Sequence, residues 1–172
     1  MSSARPLLRS ESIWLLDMTA TGVKQQVDRV LEGHRSPPSE DHPVSIGRMA
    51  DLWLLAVSLG KFARVLDRLA RQREEHHPIR VVSEEFDRAL PNLRRVRNVL
   101  EHSEDFLRAV GGPKRDQELG SIQVALTSQD IIVAVTLKDD PKQRFLSVQG
   151  AASAVDEAME TIHGRRHPAS RS

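Results

Sequence analysis

Apolar residues return every three or four positions along the first part of the chain. Ile13, Leu16, Ala20, Val23, Val27 and Val30 follow this spacing with Asp17, Lys24 and Asp28 between them, which predicts an amphipathic helix ending near Gly33. From Gly33 to Pro43 the sequence turns to Pro37-Pro38, serines and acidic residues. Proline has no amide to donate and blocks helix continuation, so this stretch reads as a loop. Ser45 caps a second predicted helix that runs to the charged stretch Arg71 to Glu75. Its apolar residues form two stripes, one of Ile46, Met49, Trp53 and Val57 and another of Leu52, Leu55, Leu59, Phe62, Leu66 and Leu69. Two apolar faces predict burial between neighbours, and Trp14 and Trp53 are expected in the core.

A third helix is expected from Ser83, its cap, to about Val110, with Glu84 and Glu85 in the dipole-favoured first turn. Pro91 kinks or restarts it, and Gly111-Gly112-Pro113 stops it. The period then falls to two. Ile122, Val124 and Leu126 alternate with polar residues, Ile131 to Val135 is a β-branched run, and Phe145 to Val148 follows the turn Lys138 to Lys142. This pattern predicts a three-stranded antiparallel meander at about 121–148, with a last helix from Ala151 to Ile162. The expected fold is α+β: a mainly helical up-and-down bundle with an appended meander and a C-terminal helix. Residues 1–163 read as one domain and 164–172 as a disordered basic tail.

Composition narrows the chemistry. The 172 residues carry 25 Lys and Arg against 24 Asp and Glu, a net charge of +1, which argues against a wholly electrostatic nucleic-acid binder but permits a local basic site. The absence of cysteine removes disulfides, thiol catalysis and cysteine-ligated zinc, and fits a reducing compartment. The longest strongly apolar run, Leu52 to Gly60, is far short of the roughly 20 residues that span a bilayer. Glu11 and Asp17 bracket Ile13 to Leu16 and leave no signal-peptide stretch, so a cytoplasmic location without membrane attachment is expected. His76-His77 is a poor metal pair, because adjacent side chains at a helix end diverge. Neither a metal nor a cofactor is expected.

One constellation stands out. Arg94-Arg95-Val96-Arg97-Asn98-Val99-Leu100-Glu101-His102 lies on the third predicted helix. At about 100° per residue, Phe86, Leu90, Leu93, Leu100 and Leu107 form a core stripe with Arg97 at its edge. Asn98 and His102, four residues apart, stack on another side near Val99 and Phe106. A helix with a core stripe and this second patch is expected between its own domain and another surface, most simply a second copy of the chain.

Arg97-Asn98-Val99-Leu100-Glu101-His102 resembles the arginine–four residues–histidine motif of the HEPN family (higher eukaryotes and prokaryotes nucleotide-binding domain), often written Arg-Asn-x-x-x-His. The resemblance covers six positions. It implies a metal-independent endoribonuclease of toxin or defence type, a homodimer formed through the third helix whose two motifs meet in one cleft, RNA as substrate and an antitoxin as partner. It implies catalytic roles for Arg97, Asn98 and His102. A histidine titrating near neutrality moves a proton of the RNA 2′-hydroxyl or of the leaving oxygen, while arginine donates forked hydrogen bonds to the phosphate. Two features depart from the simplest pattern. The meander lies outside the minimal helical bundle, and Arg97 and His102 are about 140° apart on an ideal helix. Convergence therefore requires a bent arginine or a second chain.

Two other readings stay open. In the first, Arg97 extends from the core edge to pair with Glu101 or Glu104, and His102 is a surface residue. In the second, the chain is a non-catalytic HEPN-fold interaction or scaffold module that acts as a homodimer through the Val99/Phe106 patch. Arg94, Arg95 and Arg97 read as a phosphate-contacting patch or, given the nearby acids, as a solvated mixed-charge surface.

Overall fold

A computed structural model describes residues 10–35, 46–75, 77–101, 119–126, 130–137 and 140–164. In chain order these form α1 (Ser10–Arg35), α2 (Ile46–Arg71), α3 (Pro78–Ala89), α4 (Leu93–Glu101), β1 (Leu119–Leu126), β2 (Ile131–Leu137), β3 (Asp140–Ser147) and α5 (Val148–Ile162). Mostly helical, with a three-stranded antiparallel sheet in the order β1-β2-β3, the chain has an α+β fold.

α1 buries Leu16, Ala20, Val23, Val27 and Val30, a single stripe at alternating spacings of four and three. α2 buries Leu52, Leu55, Ala56, Leu59, Phe62 and Leu66. Its other apolar stripe is not buried as expected: Trp53 is 41% exposed, and Met49 and Val57 are only partly covered. Trp14, on the outer side of α1, is 65% exposed. Both tryptophans thus lie outside the core, because the aliphatic stripes fill the contacts among the helices without them.

The predicted third helix is two helices. His77, not Ser83, caps α3: its Nδ1 accepts from the Ile79 amide at 3.2 Å, and Pro78 takes the first helical position, where no amide partner is needed. Ser83 lies within α3 and is buried. α3 ends at Leu90, with φ −124° and ψ 59°, because Pro91 disfavours helical geometry in the residue before it. The chain restarts at once, the Asn92 carbonyl accepting from the Arg95 and Val96 amides at 3.0 and 2.9 Å. Asn92 Nδ2 also donates to the Phe145 carbonyl at 3.3 Å, tying the start of α4 to β3.

β2 is the central strand. Val124 of β1 and Leu146 of β3 both pair with Val133, and Ile131, Val133, Val135 and Leu146 turn inward to the helices. Side chains alternate across a strand, so Phe145, which pairs with Ala134, lies on the opposite face and is 51% exposed. Asp130 fastens this sheet to α5. Its Oδ1 accepts from the Ile131 and Gln149 amides at 2.7 and 2.9 Å, and its Oδ2 accepts from the Ser147 hydroxyl. The Ser147 Oγ in turn accepts from the Gly150 amide at 2.7 Å as the N-cap of α5. A Cβ on Gly150 would lie 2.8 Å from that oxygen, so the cap needs glycine there.

Small residues let α5 sit close to its neighbours, with Ala151, Ala154 and Ala158 buried between Val148, Val155 and Ile162. Two polar contacts to α1, the ion pair of Lys24 with Asp156 and the hydrogen bond between Asp17 and His163 at the C-cap of α5, match increasing numbers on one helix to decreasing numbers on the other, so the two run antiparallel. Phe62 and Phe86 join α2 to α3 with ring centroids 5.2 Å apart at 55°, the tilted geometry aromatic pairs favour.

Ser45, the predicted loop at Pro37-Pro38, the stop at Gly111-Gly112-Pro113 and the tail from residue 165 lie outside the described residues. So do His102, Phe106 and Leu107.

Candidate functional site

Val96, Val99 and Leu100 are all buried in α4, together with Leu93. The core stripe is therefore wider than Phe86, Leu90, Leu93 and Leu100 alone. Val99 belongs to it and is not available to a second surface, contrary to the patch expected from helical projection. Seating α4 on Val96 and Val99 turns Arg94 and Arg97, three residues apart and so on one side of the helix, toward α2. Arg95 falls elsewhere.

Arg97 crosses α2 at Gly60. A Cβ at that glycine would stand 2.4 Å from Arg97 Cδ, 3.2 Å from Nη1 and 3.5 Å from Cγ. Only a residue without a side chain leaves room for the arginine stem, so Gly60 belongs to the site as much as Arg97 does. The guanidinium is then oriented by its neighbour, Arg97 Nη2 donating to Asn98 Oδ1 at 2.8 Å. The sequence-predicted pair Arg97 and Asn98 is thus in direct contact, while His102 lies outside the described residues.

The arginine lines a groove of about 520 Å³ between α2, the end of α3 and the start of α4. Arg64, Asp67 and Arg71 reach it from α2, Asp87 from α3, and Arg94 and Arg97 from α4. Asp67 and Arg71 form a forked pair, with both N–O distances 2.9 Å. Arg64 and Arg94 are exposed and form no ion pair among the described residues. Partial loss of hydration pushes the Asp87 carboxyl up from its ordinary value of 3.8, and the Asp67 charge adds to the shift. The groove is thus lined by four arginines, Arg64, Arg71, Arg94 and Arg97, and by two carboxylates, Asp67 and Asp87. Such an arrangement can hold an anionic oxygen through charge-assisted bonds from the arginines.

Sequence reasoning named Arg97 and Asn98, and weighed Arg94 only as part of a surface patch. It missed Gly60 and Arg64. Their spacing of four, which places them on one side of α2, was legible; that this side faces Arg97 was not, because it depends on how α2 and α4 pack.

Elsewhere, His77 caps α3, His76 lies outside the described residues, and the described residues contain no group of three metal-ligating side chains. No described helix is long and apolar enough to cross a membrane. Comparison of the chain with protein-family models, curated proteins and solved structures found no match.

Proposed function

We propose that the chain is a HEPN-like, metal-independent ribonuclease in which Arg97 holds the scissile phosphate, Asn98 orients the arginine and His102 transfers the proton. The observation that carries this reading is the Arg97 guanidinium, laid over Gly60, held by Asn98 at 2.8 Å and lining an arginine-rich groove. In the proposed step the RNA 2′-oxygen bonds to phosphorus as the bond to the 5′-oxygen breaks. The 2′-hydroxyl gives up its proton and the departing oxygen gains one; His102 serves one of these transfers and solvent water the other, and Arg97 offsets the charge that gathers on the phosphate. A homodimer supplies a way for Arg97 and His102, about 140° apart on an ideal helix, to serve one phosphate. An antitoxin partner would then restrain the activity.

The test is RNA cleavage with chelator present by the wild-type chain, Arg97→Ala and His102→Ala, after all three are shown to be folded and equally oligomeric. Wild-type cleavage reduced by about 100-fold or more in each variant is the expected result. Equal cleavage by all three, or none by the wild type, overturns the enzymatic reading.

The second reading is a non-catalytic interaction module. It no longer draws on Val99, which is buried, but on Trp14, Met18 and Trp53, exposed by 65%, 50% and 41% on the outer sides of α1 and α2.

A further inference from the structure

α1 has two faces. Leu16, Ala20, Val23, Val27 and Val30 turn one of them to the core, and on the opposite side Glu11, Trp14, Met18, Gly22, Gln25 and Arg29 fall within about 80° of one another around the axis. Trp14 is 65% exposed and Met18 50%, and Glu11, Gln25 and Arg29 are exposed as well. Gly22 is the odd member of this row. Glycine weakens a helix interior, yet a Cβ added at Gly22 would meet nothing within 4 Å beyond the backbone of its own helix. Gly60 yields its space to Arg97, whereas the space at Gly22 is taken by no described residue.

The missing side chain leaves a hollow of about 490 Å³ along the outer side of α1. Four residues that line it, Met18, Thr21, Gly22 and Gln25, stand at the spacing i, i+3, i+4, i+7, the four-residue hole that receives a knob from a facing helix. Asp17, at its border, is engaged by His163 at 2.9 Å. The knob is on the same row: Trp14 lies four residues before Met18, and Gly22 four residues after it. A two-fold axis at Met18 therefore sets Trp14 of either copy level with Gly22 of the other, and one operation fills both holes. The ends of the row fix the direction. Antiparallel pairing brings Glu11 level with the partner's Gln25 and within one turn of the partner's Arg29, whereas parallel pairing sets like charge against like.

We propose that the outer face of α1 docks a second copy of this chain, antiparallel about a two-fold axis at Met18, with each Trp14 indole in the hollow at the partner's Gly22. α1 contributes no residue to the groove that Arg97 lines, so this contact stands apart from the ribonuclease reading and from a dimer formed through the helix that carries Arg97. The row from Glu11 to Arg29 is about 27 Å long. So short a contact gives a dissociation constant on the order of 10 μM.

Light scattering of the full-length chain across a concentration series should show the mass rising toward twice the 19.3 kDa of one chain. Met18→Glu places two carboxylates at the axis and Gly22→Leu fills the hollow, and each should weaken the dimer about 30-fold or more. Met18 faces outward and nothing crowds a Cβ at position 22, so both variants should keep the wild-type circular dichroism spectrum. Gly22→Leu separates shape fit from general apolar adhesion, because an added leucine strengthens adhesion but blocks a knob. The chain has no native cysteine, so single substitutions map the axis. On mild oxidation Met18→Cys should link to itself. Gln25→Cys should not, its two copies lying about 21 Å apart along the axis, but it should link to Glu11→Cys in an equal mixture.

A wild-type chain that stays monomeric well above the expected constant, or a dimer that survives both Met18→Glu and Gly22→Leu, would overturn the proposal. So would a self-link at Gln25→Cys as strong as that at Met18→Cys, since only parallel helices give one. Dissociation by Met18→Glu in a chain whose mass is unchanged by Arg97→Ala would place the contact on α1 and not on α4.

Discussion

Gly60 and Arg97 act as one unit. The arginine stem occupies the space where a side chain at position 60 would begin, with the closest approach at 2.4 Å. Gly60→Ala must displace the arginine or move α4, and overpacking of this kind costs about 1–3 kcal/mol. In an Arg97→Ala background the clash is absent, and alanine is the better helix former by about 1 kcal/mol. A double-mutant cycle by urea denaturation should therefore give a destabilising Gly60→Ala in the wild type and a neutral or stabilising one beside Arg97→Ala. An additive cycle would show that the arginine does not lie across the glycine. In sequence, Gly60 only closes the apolar run that begins at Leu52, and nothing local assigns it a partner 37 positions along the chain (97 − 60 = 37).

The elements are set by their ends as much as by their stripes. α3 begins at a histidine cap, and burial together with the neighbouring Arg73 charge pushes the His77 imidazole below its ordinary value of 6.5. Its Nδ1 must be unprotonated to accept from the Ile79 amide. The unfolded chain then binds the proton more readily than the folded one, so stability rises with pH across the interval between the lowered value and 6.5 and falls as pH drops through it. His77→Asn keeps an acceptor at the cap and removes the titrating group. Denaturation at a series of pH values should show the wild type losing stability relative to His77→Asn as pH falls through that interval. Parallel curves would exclude the cap as a source of pH dependence. The proline at position 91 marked a break in the helical pattern; the position of the cap did not follow from the sequence, because Ser83 has the better capping chemistry while Pro78 makes His77 the better-placed residue.

Across the whole molecule, the meander and α5 form one connected unit. Asp130, at the entry to β2, bonds the Ile131 and Gln149 amides and the Ser147 hydroxyl, and thereby joins the central strand to the cap of the following helix. A negative charge beside a helix N-terminus also meets the positive end of its dipole. Asp130→Ala should lower stability by about 1–3 kcal/mol, the cost of stranding donors that the carboxylate satisfies. Asp130→Asn, which retains an acceptor, should lose less. The denaturant midpoint of each variant checks this, and an unchanged midpoint in Asp130→Ala would show that the sheet and α5 hold together without it. The sheet thus has a structural role in seating α5, and β3 is fastened to α4 beside the groove through Asn92.

The sequence by itself determined the kinds of element and their order. Helical spacing in α1 and α2, the proline between α3 and α4, and the two-residue period of the meander are local signals, and local signals survive without knowledge of the fold. It also brought Arg97 and Asn98 to notice, as adjacent members of one motif. Only the tertiary structure decided which apolar stripe is buried. Trp14 and Trp53 satisfy the helical pattern yet lie outside, and Val99, assigned by projection to a second patch, lies inside. It alone assembled Arg64 and Gly60 from α2, Asp87 from α3 and Arg94 and Arg97 from α4 into one groove. The physical reason is that periodicity fixes the angle of a side chain about its own helix axis, whereas a site depends on how several axes are set against one another, and that is settled by burial summed over the whole core.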